Sequence, residues 1–206
     1  MNAPKKLCLD LCCGLGGFSK AFKDNPDWEV VTVDIERKFK PTIQADVRFL
    51  PFRNNIQPEV LLASPPCERF SIACHTWPKI GIMKAMELVG ATFEAVARLK
   101  PKEWLIENPQ GRLRWFLGKP PQTIRLCDFG STYEKKTDLW GSVLLGMLRE
   151  QRQSSEYMFY QSQMNAKNPK PLHKHSWQRG SFVSSKAKRA EMPYGLSQAI
   201  LEAVSQ

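Results

Sequence analysis

Residues 6–19 of the chain read KLCLDLCCGLGGFS. A short apolar run, Lys6–Leu11, contains Asp10 and is followed by a cluster of glycines. The glycines of this cluster are Gly14, Gly16 and Gly17. An apolar run that ends in glycines is typical of a buried strand and a tight turn, and residues 19–22 then favour a helix. A strand, a glycine turn and a helix in this order predict the first unit of an α/β sheet.

The same alternation continues along the chain. Further strands are predicted at 28–35, 42–45, 59–63 and 104–106. Apolar residues recur at helical spacing from Ile82 to Val96 and predict a long helix before the last of these strands. Strands that alternate with helices favour a mostly parallel sheet with helices on both faces, which is a Rossmann-like α/β fold.

The pattern changes after Gln122. Residues 123–127 and 138–145 predict two more strands joined by a turn, and residues 193–204 predict a closing helix. We therefore expect an α/β core over 1–140, a short basic insertion over 141–190 and a helix over 191–206 that returns to the core.

The composition excludes several classes of protein. No stretch approaches the roughly 20 apolar residues that span a bilayer, and the first residues are too polar for a signal peptide. The six cysteines are irregularly spaced, which indicates free thiols and a reducing cytoplasm. Only Cys8 and Cys12 approach the spacing of a structural zinc site, so no metal is predicted.

The charge of the chain points to a polyanionic partner. Thirty Lys and Arg against twenty Asp and Glu give a formal net charge of +10. Residues 157–190 contain no acidic residue, and aromatic side chains lie between their basic ones. This segment could be a solvated loop, but the pattern favours contact with nucleic acid. The predicted nucleic-acid contacts are Arg69, Arg112, Lys174, Arg179, Lys186, Lys188 and Arg189.

Carboxylates follow the first three predicted strands, where α/β sheets bind their ligands. Asp34 ends the second strand and could accept both hydroxyls of a ribose, and Asp46 follows the third and could accept from an adenine amino group. The glycine turn could bring its backbone close to the same ligand. An adenosine-containing cofactor is predicted, and the alternative is a strand-to-helix turn without a ligand.

The segment Ser64-Pro65-Pro66-Cys67 follows the fourth strand. Two prolines hold the backbone of this cysteine, which suits a nucleophile that needs one fixed geometry. The alternative is a buried structural thiol. A free thiol has a pKa of about 8.5, so a nearby cation or a proton transfer would have to assist the attack.

Glu107-Asn108-Pro109 follows the fifth strand. A carboxyl group in a dry pocket can stay protonated and donate a hydrogen bond. The alternative is a surface ion pair of Glu107 with Arg112 or Arg114.

These motifs together resemble those of the DNA cytosine-5 methyltransferases. Residues 10–19 resemble the cofactor loop, Pro65-Pro66-Cys67 the nucleophile loop and Glu107-Asn108 the Glu-Asn motif, in the family's order. Residues 125–140 and 193–200 resemble two later motifs. The resemblance is to a compact, phage-like member, because the target-recognition region is reduced to about 50 residues.

The resemblance implies an S-adenosylmethionine cofactor and a DNA substrate. Cys67 would attack carbon 6 of cytosine, Glu107 would protonate N3, and Asn108 would hold the Glu107 loop. Arg125 or Lys136 would bind a flanking phosphate or the base carbonyl. The cofactor contacts would be Asp10, Leu11, Cys12, Gly14, Gly16, Gly17, Phe18, Asp34, Ile35, Asp46, Val47 and Pro65. Two alternatives are an RNA cytosine-5 methyltransferase of the transfer-RNA type and a catalytically silent nucleic-acid-binding relative.

The sequence departs from the family's pattern at three places. Cys12 stands where an aromatic residue is usual, and Pro109 follows Glu-Asn where a β-branched residue is commoner. Lys135, Lys136 and Thr137 stand where paired arginines are expected.

Overall fold

The computed structural model describes residues 3–52, 56–70, 79–131, 135–143 and 191–206. These residues form one sheet with helices packed against it. The strands are β1 (Lys6–Leu11), β2 (Trp28–Asp34), β3 (Ile43–Gln44), β4 (Val60–Ala63), β5 (Glu103–Pro109), β6 (Gln122–Arg125) and β7 (Lys136–Gly141). The helices are α1 (Lys20–Asp24), α2 (Lys79–Leu99), α3 (Arg114–Leu117) and α4 (Tyr194–Val204).

The sheet has the strand order β3-β2-β1-β4-β5-β7-β6. Strands β1 to β5 pair in parallel, whereas β7 runs antiparallel to both of its neighbours. The predicted mostly parallel α/β sheet is therefore confirmed. Because β1, β2, β4 and β5 run in the same direction, the segments that leave them emerge at one edge of the sheet.

The central strands are apolar because helices cover both faces of the sheet. All four residues of β4 are fully buried, as parallel strands usually are. On one face the core contains Phe22 and Trp28 together with Leu196 and Ile200 of α4. On the other face the core contains alanines of α2 packed under β1 and β4.

The predicted bounds of the last two strands were wrong. Arg125 ends β6, and the chain then forms a 3-10 helix, Leu126–Phe129. Gly130 terminates this turn with φ +94°, in the left-handed region that glycine adopts without steric cost. Residues 126 and 127, which were predicted to belong to the strand, lie in this 3-10 turn. Leu126 is fully buried in the core.

The proposed division at residues 140 and 190 stays a prediction, because 144–190 lie outside the described residues. The basic residues predicted there, Lys174, Arg179, Lys186, Lys188 and Arg189, lie outside them as well. In the part of the chain that the structure describes, no helix is long and apolar enough to cross a membrane.

Helix α4 returns to the core at two points. Ser197 accepts a hydrogen bond from the backbone N–H of Ala21 at 3.0 Å, which joins α4 to α1. Gly195 lies against the 3-10 helix so closely that a Cβ atom there would be 2.5 Å from the carbonyl oxygen of Phe129. Helix α4, which has eleven residues, is therefore part of the core.

Two helical glycines provide a matched test of this packing. Gly90 in α2 has open space around its missing side chain, whereas Gly195 does not. Gly90→Ala should increase the free energy of unfolding by up to about 1 kcal/mol, because alanine favours the helix. Gly195→Ala should decrease it by about 1–3 kcal/mol through overpacking. Urea unfolding measures both, and equal effects would contradict the close docking of α4.

Candidate active site

Four predicted site residues meet at the carboxyl edge of the sheet. Asp10 lies near the end of β1, Asp34 ends β2, Cys67 follows β4, and Glu107 lies near the end of β5. Asp10, Asp34 and Glu107 are buried, and Cys67 is half-buried.

The glycine loop after β1 is fixed by Asp34. The Asp34 carboxylate accepts hydrogen bonds from the backbone N–H groups of Gly14 at 2.9 Å and Glu36 at 2.8 Å. Gly14 and Gly16 have φ values of +51° and +71°, so the tight turn requires their conformational freedom. A carboxylate has about four acceptor positions, so Asp34 still has capacity for a ligand's hydroxyl groups.

One carboxylate oxygen of Asp10 is buried and can accept a further hydrogen bond. The hydroxyl of Ser19 donates to its Oδ2 at 2.6 Å, whereas Oδ1 has no hydrogen-bond partner among the described residues. Burial raises the pKa of Asp10 to about 7. A buried polar atom normally has a partner, so a donor group of a bound cofactor fits this position.

The remaining predicted cofactor contacts lie around this loop in different environments. Leu11 and Phe18 are fully buried in the core, Val47 and Pro65 are also buried, and Cys12 is partly buried with φ +54°. Ile35 is 59% exposed beside Asp34, which leaves an apolar side chain open to a ligand. Each of these residues stays a predicted contact.

Asp46 and Gly17 have structural partners. Asp46 accepts from the backbone N–H of Arg48 at 2.9 Å and from its Nη2 at 2.6 Å, and these bonds lower the pKa of Asp46. The carboxylate thus begins the 3-10 helix Val47–Phe49. A Cβ atom on Gly17 would lie 2.8 Å from the carbonyl oxygen of Met192, so Gly17 permits the approach of the C-terminal segment.

The Cys67 loop is held on both sides by the segment that follows β5. The side-chain amide of Asn108 donates to the carbonyl oxygen of Pro65 at 2.9 Å. The backbone N–H of Arg112 donates to the carbonyl oxygen of Phe70 at 2.8 Å. Gly111 is required here, because a Cβ atom would overlap that same carbonyl group. Sequence reasoning identified Asn108 but missed Gly111, although a glycine directly after Glu-Asn-Pro-Gln was a usable signal.

The positive charge of Lys135 acts on both Glu107 and Cys67. Nζ of Lys135 lies 3.8 Å from Oε1 of Glu107. Burial raises the pKa of Glu107, and Lys135 opposes this shift. Burial also raises the pKa of Cys67, the charge of Glu107 adds to the shift, and Lys135 opposes it. A buried carboxyl group and a thiol, both with raised pKa values, therefore lie beside a cation that favours ionisation of each.

The lysine that contacts Glu107 is Lys135, and the role expected for Lys136, binding a flanking phosphate or the base carbonyl, stays a prediction. Glu107 pairs with Leu139 and Pro109 pairs with Thr137 across β5 and β7. Side chains alternate along a strand, so the odd-numbered residues of β7 and the segment before it share the face of Glu107. Lys136 lies on the opposite face and is exposed. The pairing register of β5 and β7, which decides which lysine faces Glu107, could not be read from the sequence.

Three other cations predicted from the sequence lie on separate segments of the chain. Arg125 is half-exposed and donates to Asp128 at 2.9 Å and 3.2 Å. Arg112 is half-buried in the turn after β5, and Arg69 is exposed two residues after Cys67. Within the described ranges, no three His, Cys, Asp or Glu residues are grouped so as to hold a metal ion.

Comparison with known proteins assigns the family. The family model of the C-5 cytosine-specific DNA methylases matches residues 7–114, which is more than half of the chain. The chain belongs to this family. It is therefore an enzyme of the DNA cytosine-5 methyltransferase class, as the motifs predicted. The matched segment contains the glycine loop, Cys67 and the Glu107-Asn108 pair.

Two relatives illustrate the extent of the similarity. The chain is 28% identical over 152 residues to a protein of Frog virus 3 (isolate Goorha) named "Probable DNA (cytosine-5)-methyltransferase", and the match covers 66% of this chain and 70% of that protein. A crystal structure described as a DNA modification methyltransferase encoded within an E. coli prophage matches with 19% identity and a TM-score of 0.48. That match covers 66% of this chain, and the chain spans less than half, 46%, of the prophage protein.

The electrostatic coupling of Lys135 to Cys67 can be measured without a substrate. Lys135→Met should raise the pKa of Cys67 and slow its alkylation by iodoacetamide at pH 8 severalfold, because less thiolate is present. Mass spectrometry of the Cys67 peptide measures the alkylation rate at each pH. The midpoint of the rate against pH gives the pKa of the thiol. Lys136→Met is the matched control and should leave the midpoint unchanged. Equal midpoints for both variants would exclude the coupling.

Proposed function

We propose that this methyltransferase transfers a methyl group from S-adenosylmethionine to carbon 5 of cytosine in DNA through a covalent adduct with Cys67. The observation that carries the proposal is that the Cys67 loop, which Asn108 fastens to the end of β5, lies beside Glu107 and Lys135. A structural thiol would need neither the buried carboxyl group nor the shared lysine.

The cofactor fits the glycine loop between β1 and β2. Asp34 would accept the ribose hydroxyls, and the unpaired Oδ1 of Asp10 would accept from a donor group of the cofactor. Ile35 would offer an apolar surface to the adenine ring. When bound, S-adenosylmethionine would supply an electrophilic methyl group.

The chain's own residues would activate the base. Cytosine is flipped out of the duplex to reach the loop. Lys135 favours the thiolate of Cys67, whose electron pair forms a bond to carbon 6. Glu107, whose pKa is raised by burial, would give a proton to N3, and the electrons of the carbon 5–carbon 6 double bond would become available at carbon 5. After methylation at carbon 5, loss of the carbon-5 proton to solvent restores the carbon 5–carbon 6 double bond and expels Cys67 as a thiolate, and N3 returns its proton to Glu107.

Duplex DNA that contains 5-fluorocytosine tests the adduct directly. Fluorine cannot leave as a proton, so the wild-type enzyme with S-adenosylmethionine should form a protein–DNA species that survives denaturing electrophoresis. Cys67→Ser should form none, and Cys127→Ser, at another half-buried thiol, should behave as wild type. Cofactor affinity of Cys67→Ser, measured by calorimetry, should stay within about twofold of wild type, because the thiol contacts the base.

Two results would count against the proposal. A wild-type enzyme that methylates ordinary DNA but is not trapped would exclude the covalent adduct. Trapping on 5-fluorocytosine RNA in place of DNA would assign the transfer-RNA type of substrate.

A further inference from the structure

The side chain of Arg69 packs against the first turn of helix α2, beside Gly81. Arg69 is exposed and follows Cys67 by two residues, so its Cα atom lies at most about 7 Å from that of the nucleophile. A Cβ atom built on Gly81 would lie 3.0 Å from Nε and 3.1 Å from Cζ of Arg69. The guanidinium group therefore rests on the first turn of α2, in the space that a side chain at position 81 would take.

The guanidinium of Arg69 has no partner inside the part of the chain that the structure describes: no hydrogen bond or ion pair connects it to these residues. Three other cations near the site do have partners. Lys135 pairs with Glu107, Arg114 with Asp138, and Arg125 with Asp128. Arg69 thus keeps its donors for a group outside these residues, and a guanidinium has five N–H donors in a planar fork.

Arg69 is not among the charged side chains that mainly affect the pKa of Cys67. Burial is the main cause that raises the pKa of Cys67, and the charged side chains that modify it are Glu107, Lys135 and Glu68. The place of Arg69, exposed and two residues after Cys67, suits the binding of a substrate.

We propose that Arg69 binds a backbone phosphate next to the target cytosine, and that Gly81 provides the surface on which its side chain is positioned. This inference rests on the proposed function and names a contact that holds the DNA over Cys67. The planar fork matches two phosphate oxygens, which favours a phosphate over a single base atom. Contacts of this kind fix the position of the duplex and carry no sequence information.

Variants at both positions test the contact. Arg69→Ala should raise the KM for DNA at least tenfold while kcat changes less than threefold, and the affinity for S-adenosylmethionine should stay unchanged. Its slope of log Kd against log salt on duplex DNA should flatten by about 0.9, as expected for one lost phosphate contact. Arg69→Lys should keep the slope and lose part of the affinity, because a lysine retains the charge without the fork.

Gly81→Ala should shift the Arg69 guanidinium by a few tenths of an ångström and raise the KM less than Arg69→Ala does. Gly90→Ala is its matched control, because that glycine lies in the same helix with open space around it, and should not change the KM. Arg98→Ala, at the far end of α2 and bonded to the carbonyl of Phe52, controls for the loss of an exposed arginine and should not change it either. Thermal unfolding of each variant shows whether the fold is intact.

The outcomes separate this inference from the proposed function. A wild-type enzyme that neither binds nor methylates DNA would refute the proposed function itself. If the wild type is active and Arg69→Ala has an unchanged KM and salt slope, the phosphate contact is refuted alone. If Arg69→Ala changes which sequences are methylated, Arg69 reads a base, and the phosphate assignment is wrong.

Discussion

The hydrogen bond from the Asn108 amide to the carbonyl of Pro65 joins the two strand ends on which the catalytic arrangement depends. Prolines have no N–H group, so a Pro-Pro turn can be fastened to its surroundings only through its carbonyl groups. Asn108 supplies the donor from the end of β5, next to Glu107. Without it a carbonyl group would lose its partner in a buried setting, at a cost of about 1–3 kcal/mol. The spacing of Cys67 and Glu107 therefore depends on this side-chain amide together with the bond from the Arg112 N–H to the carbonyl of Phe70.

The second constraint is the burial of ionisable groups at the same edge. Burial raises the pKa of Cys67 and of Glu107, which suits a carboxyl group that must give up a proton and does not suit a thiol that must lose one. Lys135 lowers both pKa values and so reduces the cost of forming the thiolate. Its distance of 3.8 Å from Oε1 of Glu107, without a hydrogen bond between them, leaves that oxygen able to bond to a base.

Much of this arrangement could be predicted from the sequence, because local patterns determine it. The apolar run with a glycine turn gave β1 and its loop, and the positions of Asp34, Cys67 and Glu107 followed from the ends of strands. Features that arise from contacts between distant segments could not be predicted. The sheet register decides between Lys135 and Lys136, and the packing of the C-terminal segment explains Gly17. The bounds of β6 were wrong because a turn of 3-10 helix has the same apolar composition as a strand.

The most direct test of the central claim is the chemical identity of the product. DNA should be incubated with the enzyme and methyl-labelled S-adenosylmethionine, digested to nucleosides and separated by chromatography with mass detection. The account predicts that the label appears in 5-methyl-2′-deoxycytidine with the wild-type enzyme and is absent with Cys67→Ser. Label in N4-methyl-2′-deoxycytidine, or label in 5-methyl-2′-deoxycytidine with the serine variant, would contradict it.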